Sequence, residues 1–214
     1  MSTAGRRARV RRKTRETDIE LDLDLDRPEP PSVRTGIGFF DHMLSALGTH
    51  GRFALRIRAK GDLEVDQHHL VEDVGIALGT AIREALGGDL RIRRFAHAYA
   101  PLDDALARAV VDVSGRGYLR YRAKIRRVRA GDFETDLARE FFLALAANAR
   151  INLHLDVLHG KNSHHQLEAL FKALALALRE ALAPEAGLAG IPSTKGTLSE
   201  AQARRPAPRA GCFV

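Results

Sequence analysis

The chain has no tryptophan and a single cysteine, Cys212, third from its end. One thiol can form neither an internal disulfide nor a thiolate metal site, so a reducing, cytoplasmic setting is expected. No apolar run approaches the roughly 18 to 20 residues that cross a bilayer, and no apolar segment follows the charged N-terminus as in a signal peptide. A soluble protein with no membrane association is expected. Aromatic residues make up only 6% of the chain, which leaves little for stacking on nucleic-acid bases. Acidic residues are missing altogether from the first 15 positions, where Arg6, Arg7, Arg9, Arg11, Arg12, Lys13 and Arg15 stand. The net charge of +7 is that stretch alone, because basic and acidic residues balance in the rest of the chain. A neutral body is no nucleic-acid platform, and 1–15 is expected to be a solvated basic arm leading into the first strand.

What is present suits a globular fold: 214 residues, 45% hydrophobic and 29% charged. From Thr17, the apolar series Ile19, Leu21, Leu23, Leu25 alternates with Glu20, Asp22, Asp24, Asp26, the period of a half-buried strand. Prolines between Arg27 and Ser32 break it. A helix is expected over 39–47, strands over 53–59 and 63–65, and a long helix over 68–86 ended by Gly87-Gly88. The pattern then starts again, with strands over 106–113 and 118–125, a helix over 136–148, a strand over 151–158 and a long helix over 164–182. At an offset of 96, His68-His69-Leu70-Val71-Glu72 falls on His164-His165-Gln166-Leu167-Glu168, and Arg83-Glu84-Ala85-Leu86 on Arg179-Glu180-Ala181-Leu182. At 98, Phe53-Ala54-Leu55-Arg56-Ile57 falls on Ile151-Asn152-Leu153-His154-Leu155, and His42 on Glu140. Internal duplication explains both alignments. The half-repeats are expected over 16–100 and 101–198, packed as a pseudo-symmetric pair, with 199–214 as a flexible tail.

His-His-x-x-Glu occurs twice, each time at the start of a long helix. Helical spacing of three and four sets Glu72 beside His68 and His69, and Glu168 beside His164 and His165, so that carboxylate and imidazole can share a metal. Adjacent residues diverge by about 100 degrees around a helix, so neighbouring histidines point to two metals rather than one. A dinuclear site, or sites shared between subunits, follows. Imidazole and carboxylate donors without sulfur suit Zn, Fe, Ni or Mn. His42 and its repeat partner Glu140 are further donors, whereas His154 and His159 read as structural.

Gly36-Ile37-Gly38-Phe39-Phe40-Asp41-His42-Met43-Leu44, Asp66-Gln67-His68-His69-Leu70-Val71-Glu72-Asp73, Asn162-Ser163-His164-His165-Gln166-Leu167-Glu168 and Pro192-Ser193-Thr194-Lys195-Gly196 together resemble the imidazoleglycerol-phosphate dehydratases of histidine biosynthesis. The resemblance spans about residues 10–198. It implies an α+β fold, an internally duplicated two-layer α/β sandwich in which each half is a four-stranded sheet backed by two helices. It further implies a homo-oligomer of 24 subunits with active sites between subunits and two Mn2+ per site. One metal would be held by His42, His69, His165 and Glu168, the other by His68, Glu72, His164 and Glu140. Family members commonly carry histidine where this chain has Glu140, which keeps a donor but makes the site more anionic. The implied reaction converts imidazole glycerol phosphate, a small-molecule phosphate, to imidazole acetol phosphate through a dimetal-bound imidazolate and a diazafulvene-like intermediate. Glu16 matches the family's substrate-contacting glutamate and would be the acid-base group. Arg94, Arg116, Ser193, Thr194 and Lys195 match its phosphate-binding positions, and His50 is a further substrate contact.

The donors alone leave other readings open. A dinuclear metallohydrolase would use the same imidazoles and carboxylates, and a non-catalytic assembly protein would use metal only to join subunits. A nucleic-acid binder would act through the basic arm.

Overall fold

The computed structural model describes residues 5–87, 91–125, 127–185 and 187. In chain order the strands are β1 Arg7–Lys13, β2 Thr17–Asp24, β3 Ser32–Arg34, β4 Ala54–Gly61, β5 Phe95–Leu102, β6 Ala105–Asp112, β7 Tyr118–Arg122, β8 Arg129–Ala130, β9 Phe133–Glu134 and β10 Asn152–His159. The helices are α1 Gly38–Gly51, α2 His68–Leu86, α3 Leu137–Ala149 and α4 Ser163–Ala181. One four-stranded sheet runs β1-β2-β4-β3 and the other β5-β6-β10-β7. Each has three antiparallel strands and a last one, β3 or β7, parallel to its neighbour. The same topology twice is the expected duplicated α+β architecture. Even the ends of the short helices repeat, since Arg52 after α1 and Arg150 after α3 both take φ 56°, a left-handed cap rarely given to a residue with a Cβ.

The basic stretch expected to be a solvated arm is instead an edge strand, over 7–13. Its partner explains why. β2 buries Thr17, Ile19, Leu21 and Leu23 and turns Asp18, Glu20, Asp22 and Asp24 outward. The β1 register sets Arg7 opposite Asp24, Arg9 opposite Asp22, Arg11 opposite Glu20 and Lys13 opposite Asp18. Arg7 and Asp24 lie 2.5 Å apart and Arg9 and Asp22 3.3 Å. On the inner side of this charge ladder Ala8 and Val10 pack on the core. The first repeat therefore begins before residue 16, and the second begins with β5 at Phe95 rather than at 101. The segment 63–65, expected as a strand, is a turn leading into α2. Residues 199–214 lie outside the described residues.

Helices of the two halves interlock. α2 packs on β1 and β2, α4 packs on β5, β6 and β10, and α1 lies on α4 while α3 lies on α2. The long helices are covered on several sides, which is why α4 buries Leu167, Leu170, Phe171, Leu174 and Leu178 together with Ala169, Ala173 and Ala177. α1 has no side-chain cap of its own at Ile37. Asp132, from the β8–β9 turn of the second half, accepts the Gly38 and Phe39 N–H groups at 2.9 and 3.1 Å. The outer faces of the sheets differ: the first carries the charge ladder, while the second exposes Phe95, Tyr99, Val110 and Tyr118. His154 leans on Tyr118 there, with ring centroids 5.9 Å apart.

α2 meets α3 through glycine. A Cβ on Gly79 would sit 2.6 Å from the Leu145 carbonyl oxygen, and one on Gly75 2.7 Å from that of Phe141. Gly→Ala within a helix ordinarily gains about 1 kcal/mol. Here the contact is backbone, which cannot rotate away, and overpacking costs about 1 to 3 kcal/mol. Gly79→Ala is therefore expected to lower the melting temperature and lose about 1 to 2 kcal/mol in urea unfolding, opposite in sign to the propensity effect.

Candidate metal centre

The packing of α1 on α4 brings His42 to the start of the second long helix. His42 Nε2 lies 3.2 Å and His164 Nε2 3.1 Å from Glu168 Oε2. Ligand atoms of His42, His164 and Glu168 all fall within 4.8 Å of one another, the one such group of three among the described residues. His164 is set by Asn162, whose side chain caps α4 by accepting the His164 N–H at 2.9 Å, and its ring meets Phe39 edge-on with centroids 5.0 Å apart. Two imidazole nitrogens and one carboxylate oxygen, converging without sulfur, fit a divalent first-row metal.

Glu168 is 9% exposed. Burial pushes its carboxyl upward, but hydrogen bonds from Lys172 and His42, the Lys172 charge and His164 outweigh that and hold it at about 2. Lys172, one helical turn on, sits 2.7 Å from Glu168 Oε1, leaving Oε2 to the two histidines. Sequence reasoning missed Lys172; its i,i+4 spacing from Glu168 was the available signal. His50, in the last turn of α1, is pushed down from its ordinary value by burial and by the Lys172 charge.

The pseudo-equivalent residues, His68 and Glu72 on α2 with Glu140 on α3, form no such close group among the described residues. His68 Nε2 and Glu72 Oε2 are 3.9 Å apart, and Glu140 pairs with neighbouring Arg139 at 2.7 Å. His69 and His165, the second members of the His-His pairs, engage carboxylates outside both groups. His69 Nδ1 lies 3.0 Å from Asp62 Oδ2, and His165 Nδ1 2.7 Å from Asp104 Oδ1. The Asp62 hydrogen bond, with the Glu16 charge behind it, raises the His69 imidazole above its ordinary value. The His165 hydrogen bond and the Lys161 N–H draw Asp104 down to about 2.

Glu16 stands in the β1–β2 turn with Oε2 3.9 Å from His69 Nδ1. Its turn is tied to α2 from behind: Thr17 Oγ1 donates to buried Asp73 at 2.5 Å, and Arg12 pairs with the same carboxylate at 2.8 Å. A cleft of about 330 Å³ beside it is lined by Lys13, Arg15, Glu16, Lys60 and Asp62. Of the expected phosphate contacts, Arg94 pairs with Asp112 at 2.8 Å and covers the Phe95 ring at 4.5 Å. Arg116 is exposed in the β6–β7 loop, where its N–H donates to Ser114 Oγ at 3.3 Å. Ser193, Thr194 and Lys195 lie outside the described residues.

A profile of the imidazoleglycerol-phosphate dehydratase family matches residues 35–178. Among curated relatives, the imidazoleglycerol-phosphate dehydratase of Streptococcus sanguinis is 52% identical over 193 residues, 90% of this chain and 100% of its own. That of Caldanaerobacter subterraneus is 54% identical over the same shares. The crystal structure of the dehydratase from Staphylococcus aureus is similar with a TM-score of 0.76 and 37% identity, covering 83% of this chain and 99% of that one. The structure from Pyrococcus furiosus gives a TM-score of 0.76 and 38% identity, over 88% and 100%.

A carboxyl lowered in the folded state stabilises it above its unfolded value, and that contribution is lost as pH falls through the folded value. Glu168, held at about 2 against 4.5, makes the metal-free protein lose stability across that window, by about 3 kcal/mol in all. Removing the lysine in Lys172→Met should move the onset to higher pH, read from urea midpoints between pH 2 and 6.

Proposed function

This chain belongs to the imidazoleglycerol-phosphate dehydratase family, carbon–oxygen lyases of histidine biosynthesis, and from that membership we propose how its residues carry out the dehydration. The meeting of His42 with Glu168, two donors of one expected set, is the observation that carries the reading, with His164 of the other set standing beside them. His42, His68, His69, Glu72, Glu140, His164, His165 and Glu168 would hold two Mn2+ per active site. Once bound, the ions supply Lewis acidity toward the substrate's imidazole nitrogens, which makes loss of the side-chain hydroxyl and of a carbon-bound proton accessible.

Glu16 moves that proton through its carboxylate. It is half exposed, so substrate can reach it, while the Thr17–Asp73–Arg12 contacts behind the turn keep it beside α2. Arg94, Arg116 and the Ser193-Thr194-Lys195 segment hold the phosphate, with His50 as a further contact. Arg94 arrives already oriented by Asp112. Binding the phosphate dianion away from the reacting carbon fixes the substrate without using the metal donors.

Support for sites shared between subunits comes from the donors themselves. His42 and Glu168 meet within one chain, but His69 and His165 engage Asp62 and Asp104 instead. A second copy completes each set of four in this reading, in a homo-oligomer of 24 subunits working in the cytoplasm.

Chelator-stripped protein should form imidazole acetol phosphate only after Mn2+ is added, with the phosphate ester intact; release of inorganic phosphate would point to hydrolysis instead. Glu16→Gln should lower kcat by about 100-fold or more, with Mn2+ stoichiometry and oligomer size unchanged. Loss of metal together with turnover would reject the acid-base role.

A further inference from the structure

The duplication gives Glu16 a counterpart. Thr17 opens β2 and Ala105 opens β6, so aligning the β1–β2 and β5–β6 hairpins sets Asp104 where Glu16 stands. Both hairpin carboxylates face the second histidine of a His-His pair, and both face its Nδ1. Asp104 Oδ1 is in full hydrogen-bond contact with His165 at 2.7 Å, whereas Glu16 Oε2 stays 3.9 Å from His69. In the first half the close contact is made by Asp62, from the turn after β4, with Oδ2 at 3.0 Å and Oδ1 at 3.3 Å from His69 Nδ1.

A neutral imidazole carries one N–H, and an ionised carboxylate only accepts. A carboxylate at Nδ1 therefore places the proton there and leaves the lone pair on Nε2, while also fixing the plane of the ring. We propose that Asp62 and Asp104 are positioning residues that hold His69 and His165 in the Nδ1–H form and present Nε2 to the metal. Duplication has thereby split one inherited task. In the second half the hairpin carboxylate orients the ring. In the first, Asp62 does so, and the longer Glu16 is left able to swing toward substrate. Asp103 Oδ2 is 3.5 Å from His165 Nε2 on an exposed side chain, a contact that a metal ion on that nitrogen would replace.

This inference rests on the reading of His69 and His165 as metal donors, and the test separates the two. Asp104 also accepts the Lys161 and Asn162 N–H groups at 2.5 and 3.2 Å, so changes there disturb the loop before α4 as well. Asp62 makes its side-chain hydrogen bonds to His69 alone among the described residues, which makes it the cleaner position. Chelator-stripped wild type, Asp62→Asn, Asp62→Ala, Asp104→Asn and His69→Ala would be titrated with Mn2+, reading free ion by electron paramagnetic resonance and melting each metal-free protein in parallel. Asp62→Ala is expected to weaken one class of Mn2+ site by about 10- to 100-fold at unchanged stoichiometry and melting temperature. Asp62→Asn, which keeps a neutral acceptor oxygen, should fall between it and wild type, and Asp104→Asn should weaken binding as well. Unchanged affinity in Asp62→Ala beside a loss in His69→Ala would overturn the positioning role while leaving the metal reading intact. Unchanged affinity in both would overturn the two together. Loss of a whole Mn2+ equivalent in Asp62→Ala would make Asp62 itself a ligand and also overturn the proposal. If Asp62→Ala lowers the melting temperature, the Asp62→Asn titration decides.

Discussion

The charge on Glu168 is the condition on which the candidate centre depends. An isolated carboxylate this deeply buried costs several kcal/mol and would rather take a proton. It stays ionised because donors from two helices close on it: His42 from α1, and His164 and Lys172 from α4. His42 and Glu168 are 126 residues apart in the chain. The metal-suited geometry is thus a product of core packing, and anything that shifts α1 against α4 shifts the donors.

Local periodicity made most of this architecture legible. The alternation in β2 and the stripes of α2 and α4 are properties of single segments, and the structure places the long helices within a residue of the positions expected from their apolar spacing. The duplication was readable for the same reason. β1 was not, because Arg and Lys in alternation look like a solvated tail until the acidic face of β2 is set opposite. β5 escaped because its inward residues are mostly alanines, too small to give a strong apolar signal. The His-His-x-x-Glu motifs announced donors, and His42 and Glu140 followed from the repeat. Asp62 and Asp104 were invisible as partners, since a lone carboxylate in a turn acquires meaning only when tertiary packing brings a histidine to it.

The two halves share a topology but no longer share a chemistry. Of the two expected donor sets, one has three imidazoles and a carboxylate, the other two imidazoles and, through Glu140, two carboxylates. A metal held by the second set would therefore meet one more negative charge and a harder donor set. Twofold likeness in the fold has become inequivalence between the proposed ion sites.

The outer sheets have diverged just as far, and this gives the molecule a polarity. The first face carries Arg–Asp pairs such as Arg7–Asp24 and Arg9–Asp22, while the second sets Phe95, Tyr99, Val110 and Tyr118 among its own pairs, Arg94–Asp112 and Arg108–Asp156. The chain thus presents two unlike outer faces.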